Sequence, residues 1–123
     1  MTDGNAKPVS PCRGEVWRVK FDPTKGDEIA KSRPAIVVSS DAVGKLAIKI
    51  VIPVTTWKDN FASNIWMVRL EPDESNGLNN VSTADALQIR SVSLERFVEK
   101  LGQVSSEVLD DITAAIAIVV EYQ

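Results

Sequence analysis

The sequence predicts one small domain of mainly-β or α+β class. Five or six short antiparallel strands wind into an SH3-like barrel, and one C-terminal helix closes it. Three observations predict this. Short runs of apolar alternation recur between Glu15 and Val104, separated by turn residues. The last stretch changes period, with Val108, Leu109, Ile112, Ala115, Ile116 and Val119 at helical spacing. Finally, 123 residues is one domain's worth of chain. It is enough to bury about two-thirds of its unfolded surface without a disulfide or metal staple.

The elements follow in order. Residues 1–12, rich in Gly, Asn, Pro and Ser, read as a disordered N-terminal tail, and residues 13–123 as the domain. Glu15 to Phe21 is a strand with Trp17, Val19 and Phe21 on one buried face. Asp22-Pro23-Thr24-Lys25-Gly26 stops it with turn chemistry, and Asp27 to Ser32 reads as an exposed loop. Pro34 opens a second strand, Ala35 to Ser39, whose continuous apolar run suits a central position. In the third strand Ile48, Ile50, Ile52 and Val54 share one face, and Lys49, Val51, Pro53 and Thr55 the other. Pro53 cannot donate to a ladder, which marks an edge or a bulge there. A fourth strand spans Ile65 to Leu70, followed by a long loop from Glu71 to Asn80. The fifth spans Thr83 to Val92, with Leu87 and Ile89 facing one way and Gln88 and Arg90 the other. Ser93 to Arg96 reads as a helical turn and Phe97 to Val104 as a weaker sixth strand. Ser105 or Ser106 caps the final helix, and Glu107, Asp110 and Asp111 lie near its positive end.

Composition narrows the chemistry. The chain contains no His, so mechanisms that need an imidazole are excluded. Cys12 is the single cysteine, which leaves neither a disulfide framework nor a Cys/His zinc cluster. No apolar run reaches membrane-spanning length, and the N-terminus lacks a signal-peptide core. The expected location is the cytoplasm. The net charge of −3 argues against a nucleic-acid partner when taken alone. Residues 1–61, however, carry ten Lys/Arg against seven Asp/Glu, and residues 62–123 carry four against ten. The basic excess is therefore concentrated in the N-terminal half.

Three places put polar groups at strand ends or on an open strand face: Lys31-Ser32-Arg33-Pro34, Pro53-Val54-Thr55-Thr56-Trp57, and Gln88 with Arg90. Each has a plain structural alternative. Arg33 can pair with Asp27 or Glu28 on the surface. Thr55 and Thr56 suit a strand by propensity. Gln88 can be simply solvated.

Taken together, Arg13-Gly14-Glu15-Val16-Trp17, Asp22-Pro23-Thr24-Lys25-Gly26-Asp27-Glu28-Ile29, Arg33-Pro34-Ala35-Ile36-Val37-Val38-Ser39, Ile52-Pro53-Val54-Thr55 and Gln88-Ile89-Arg90-Ser91-Val92 resemble the MazF/PemK (Kid) toxin endoribonucleases over residues 13–121. The resemblance implies the PemK-like/CcdB-like version of the barrel and a homodimer. It also implies cleavage of single-stranded RNA at short motifs without metal or other cofactor, and an acidic MazE-like antitoxin as partner. The family's catalytic Arg falls on Arg33 and its catalytic Thr on Thr55.

Those residue types fit the chemistry that the resemblance implies. Attack of an RNA 2′-hydroxyl on the adjacent phosphate gives a 2′,3′-cyclic phosphate and gathers negative charge on the phosphoryl oxygens. A guanidinium holds two such oxygens in a fixed fork and stays charged. A hydroxyl adds a further hydrogen bond. Some relatives place an Arg and an acidic residue just ahead of the Gln as an acid–base pair. Here those positions are Asp85 and Leu87, so that pair is absent. For the proton acceptor, Glu28 or Asp27 stands against simple ion pairing with Lys31. Ile29-Ala30 replaces the Gln-Gly common in relatives, which implies a different base preference.

The remaining RNA-binding candidates are Glu28, Lys31, Ser32, Thr56, Trp57, Gln88 and Arg90, with Lys49 and Lys58 as further phosphate contacts. Two readings stand for Trp57: a stacking platform for a base, or a ring folded back on the barrel. Arg90 either braces Gln88 or pairs across a dimer. Two other functions compete with the ribonuclease. One is a non-enzymatic toxin of the same fold that binds a protein target, as gyrase-poisoning CcdB proteins do. The other is an inactive RNA- or antitoxin-binding relative.

Overall fold

In the computed structural model, residues 10–21, 32–43 and 46–122 are described. Among them seven strands form one antiparallel sheet: β1 (Glu15–Lys20), β2 (Ser32–Val37), β3 (Ile48–Thr56), β4 (Met67–Leu70), β5 (Ser82–Asp85), β6 (Arg90–Ser93) and β7 (Phe97–Gln103). Helix α1 (Ser106–Val119) follows. The sheet runs β4-β5-β3-β2-β1-β7, with β6 also on β3, so it is bent but open, ending at β4 and β7. The expected barrel-like antiparallel sheet with a closing helix is what the chain builds. The expected turn over Asp22–Gly26 and the tail over residues 1–9 lie outside the described residues. Pro11 and Cys12 belong to the fold, since Pro11 is fully buried and the Cys12 N–H donates to Glu15 Oε1 at 2.8 Å.

The sheet buries both faces at its centre. One cluster gathers Val16, Ile36, Ile52, Val54, Leu70 and Ala84 with Ile112 and Ala115 of α1. The other gathers Val19, Phe21, Ala35, Val37, Val51, Val92 and Phe97, with Trp17 packed against it. Trp17, Val19 and Phe21 do share a side, as expected. The opposite side of β1 is also buried, because Val16 is fully enclosed in the first cluster. β2 is central, as its apolar run predicts, and extends back to Ser32. The regular face of β3 divides: Ile52 and Val54 are buried, whereas Ile48 and Ile50 are exposed past the helix-covered core.

β3 is the organising strand. One edge pairs with β2 through Ala35↔Pro53, Ile36↔Ile52 and Val37↔Val51. Its other edge pairs first with β6, from Ile48↔Ser93 to Val51↔Arg90, and then with β5, from Val54↔Ala84 to Thr56↔Ser82. Pro53 sits where that edge changes partner, a place where a missing donor is tolerated.

The same change of partner corrects the fifth strand. Thr83 to Val92 is not continuous. Asp85 accepts a hydrogen bond from the Leu87 N–H at 3.0 Å and caps a tight 3-10 turn over Ala86–Gln88. A short Asp side chain that bonds two residues ahead offers the backbone an alternative to the ladder, and here it breaks the strand into β5 and β6. Likewise β4 begins at Met67, leaving Ile65 exposed. The helical turn at Leu94–Arg96 and the strand that follows it are as expected. Ser105 caps α1 by accepting from Val108 N–H at 3.1 Å.

Glu15 ties the start of β1 to β7. It accepts from Cys12 N–H, from the Trp17 indole at 2.9 Å and from Lys100 at 3.0 Å. Burial pushes its carboxyl up, but these hydrogen bonds outweigh burial and hold it below its ordinary value. A depressed carboxylate stabilises the fold above its unfolded pKa, and that contribution is lost as pH falls through the folded value. Glu15→Gln should therefore cost about 1–2 kcal/mol near neutral pH. The gap should close in acid, and urea unfolding across the carboxylate range checks this.

Candidate active site

The site arises where β2 and β3 part. Their ladder ends at Ala35↔Pro53. Extending that register by two residues brings Arg33 opposite Thr55. By then β3 has turned to β5, with Thr55 facing Thr83, and β2 has stayed with β1, with Arg33 facing Val19. The wedge between them is a cleft of about 460 Å³. Arg33, Pro34, Val54, Thr55 and Thr56 line it from the diverging strands, Arg18 and Leu101 from β1 and β7, and Gly77, Leu78, Asn79, Asn80 and Ser82 from the loop before β5 and its first residue.

Arg33 and Thr55, far apart in sequence, thus share one cleft. Arg33 is exposed and forms no ion pair among the described residues; Thr55 is half-buried. Two of the lining residues are cationic and none is acidic. Arg18, the second cation, is held by Glu99 at 3.6 Å. A guanidinium, a second guanidinium and a hydroxyl around an open, polar space suit an anion with several oxygens.

The loop wall is cross-braced by hydrogen bonds. Asn76 is buried, and its side chain accepts from the Asp73 and Leu78 N–H groups and donates to the Glu71 carbonyl at 2.8 Å. Asp73 accepts from the Ser75 and Asn76 N–H groups. The Gln103 N–H donates to the Ser75 carbonyl at 2.8 Å, which fastens the loop to β7.

The other expected contacts are distributed differently. Thr56 lines the cleft. Ser32 is half-buried at the start of β2, opposite Lys20, and does not line it. Trp57 does not line it either: its ring meets Phe61 edge-on at 5.9 Å and carries the Arg69 guanidinium 5.4 Å from its centroid, so it is folded back on the sheet. Gln88 is exposed at the end of the 3-10 turn. Arg90 lies over the Phe21 ring at 5.4 Å. Lys49 is half-buried opposite Val92, and Lys58 is exposed. Glu28 and Lys31, with Asp27, lie outside the described residues. Arg18, Asn79 and Asn80 are contributors that the sequence did not single out. The outward-facing charge on β1 and the paired Asn before β5 were the available signals.

An open, bent antiparallel sheet with a C-terminal helix and an Arg/Thr cleft between diverging strands defines a small β-domain whose cleft suits a polyanion in its chemistry. Residues 12–120 match the family described as PemK-like, MazF-like toxin of type II toxin–antitoxin system. The chain belongs to that family. It is 36% identical over 110 residues to endoribonuclease MazF9 of Mycobacterium tuberculosis, covering 85% of this chain and 91% of the relative. It is 32% identical over 112 residues to the endoribonuclease toxin MazF of Escherichia coli K12, covering 89% and 94%. Among solved structures it is similar to a MazE–MazF complex of Deinococcus radiodurans, with TM-score 0.74, 25% identity and coverage of 92% and 97%. Among the described residues no helix is long and apolar enough to cross a membrane.

Proposed function

We propose that this protein is a toxin endoribonuclease that cleaves single-stranded RNA by attack of a 2′-hydroxyl on the adjacent phosphate. The observation that carries the proposal is the meeting of Arg33 and Thr55 in one cleft. Arg33 grips the phosphoryl oxygens as they gain charge, and the Thr55 O–H donates to one of them. Arg18 holds a neighbouring phosphate. Asn79 and Asn80 offer donors and acceptors to base edges, the means by which unpaired RNA is read. Asp85 caps its own turn and does not line the cleft, so it is not placed as the general base. The rate comes from charge stabilisation, and one such preorganised donor contributes two to three decades, or about 3–4 kcal/mol.

The partner that controls this activity is an acidic MazE-like antitoxin segment, which competes with RNA for the same cations. A second copy of the chain covers the exposed Leu46, Ile48 and Ile50 strip and makes the homodimer. The working compartment is the cytoplasm, where both RNA and antitoxin are met. A non-enzymatic toxin aimed at a protein target is not favoured, since the relatives it matches are named endoribonucleases.

The test is a long single-stranded RNA incubated with the purified protein in EDTA, followed by mapping of the cut ends. Cleavage should persist and leave cyclic phosphate and 5′-hydroxyl ends. A 2′-deoxyribose placed 5′ to the cut should stop it. Cleavage of that deoxy substrate would rule out internal attack, and an intact RNA would sink the activity itself.

A further inference from the structure

Thr83 lies at the centre of β5 and is fully buried, yet its Oγ1 has no hydrogen-bond partner among the described residues. Buried polar groups are rarely left so, and each exception calls for a physical reason. Its neighbours supply one. Thr83 is directly opposite Thr55 on β3 and directly opposite Arg69 on β4. Facing residues in an antiparallel ladder point to the same side, with Cβ atoms about 5 Å apart, within reach of a Thr–Thr hydrogen bond. Trp57, two residues beyond Thr55, shares that side, and the Arg69 guanidinium rests on its ring. β5 runs between β4, which carries Arg69, and β3, which ends one residue before Trp57, so the Arg69–Trp57 contact spans β5 on the side of Thr83. Of the two residues paired with Thr83, Thr55 is the one whose side chain can accept a hydrogen bond.

We propose that Thr83 is a positioning residue, whose O–H donates to Thr55 Oγ1 and turns the Thr55 proton toward the phosphate in the cleft. A hydroxyl can accept one hydrogen bond while donating another. Accepting from Thr83 removes the alternative orientations of Thr55 and polarises its O–H, which makes it the stronger donor. Thr83 Oγ1 is unpartnered as it stands, so the proposed bond requires rotation about χ1 of one of the two residues. The inference rests on the reading of Thr55 as a phosphate donor.

Thr83→Val keeps the shape and deletes the hydroxyl. For a merely structural Thr83, deletion of an unpartnered buried hydroxyl leaves Tm equal or higher and cleavage unchanged. For a positioning Thr83, Tm falls by a few degrees, and kcat falls about five- to tenfold with KM unchanged, one neutral hydrogen bond's worth. Thr83→Ser should restore kcat. In a Thr55→Ala background, Thr83→Val should cost nothing further. The assay uses the RNA segment around the mapped cut site. Wild-type kcat in Thr83→Val would overturn the inference alone. So would loss of kcat in Thr83→Val that Thr83→Ser fails to restore, or the same fold loss with Thr55 already removed. A wild-type protein that leaves RNA intact would overturn the ribonuclease reading and this inference together.

Discussion

Arg33→Ala should lower kcat for RNA cleavage by about two to three orders of magnitude and leave the unfolding midpoint where it is. Both halves of this expectation follow from where Arg33 stands. Its side chain is exposed and forms no ion pair among the described residues, so its removal opens no cavity and orphans no buried charge. The backbone stays paired with Val19 of β1. On the proposed mechanism the loss falls on the transition state, because the cleft's other guanidinium, Arg18, is engaged by Glu99. Arg33→Lys separates charge from geometry. A point charge without the planar fork should recover only part of the rate. Single-turnover cleavage with urea unfolding of the same samples measures both halves. Wild-type cleavage by Arg33→Ala would remove Arg33 from the centre of the reaction.

Gly77→Ala should be the most damaging small substitution in the cleft wall. Gly77 has φ of 69°, a region costly for residues with a Cβ. An added Cβ would lie 2.2 Å from the Leu101 carbonyl oxygen and 2.8 Å from its carbon. These are backbone atoms of β7, which cannot swing aside as a side chain would. Gly102 makes the reciprocal approach, its missing Cβ lying 2.1 Å from the Ser75 carbonyl oxygen. Loop and strand are thus pressed together from both sides. Strain and overpacking together should cost about 3 kcal/mol. The displaced Asn79 and Asn80 should weaken RNA binding as well. Urea denaturation and RNA titration check the two effects. A change in stability within about 0.5 kcal/mol, the range of an ordinary surface substitution, would show that the close approach is absent.

The sequence was most legible where local chemistry and tertiary demand agree. The helical stripe and Ser105 cap of α1 are read directly, because capping and amphipathicity are local properties. The apolar run of β2 announces burial on both faces, and the structure provides it. Arg33 and Thr55 are visible as residues, and their family resemblance names them, but no spacing rule brings them together. Their meeting depends on the β2–β3 register and on the change of partner just beyond Pro53. Alternation alone puts Gln88 and Arg90 on one strand face, because it cannot register that Asp85 bends the chain. Arg18 looked like any solvated strand charge. The Glu71–Asn80 loop showed turn residues, but the buried Asn76 network that stiffens it requires β7 as a backing. Trp57 has two open readings in the sequence, and its contacts with Phe61 and Arg69 decide between them.

The pairing of β1 with β7 joins the first strand to the last, from Glu15↔Gln103 to Val19↔Phe97. Such a contact closes a loop of roughly two-thirds of the chain, the kind of topology that folds slowly and late. Leu101 of the cleft sits on β7, and the loop carrying Gly77 leans on the same strand. A chain still short of Phe97 has neither the partner for β1 nor that wall of the cleft. During synthesis, therefore, the site is assembled only once almost all of the message has been read, and a ribosome engaged on this gene does not carry a finished cleft while it translates the first half.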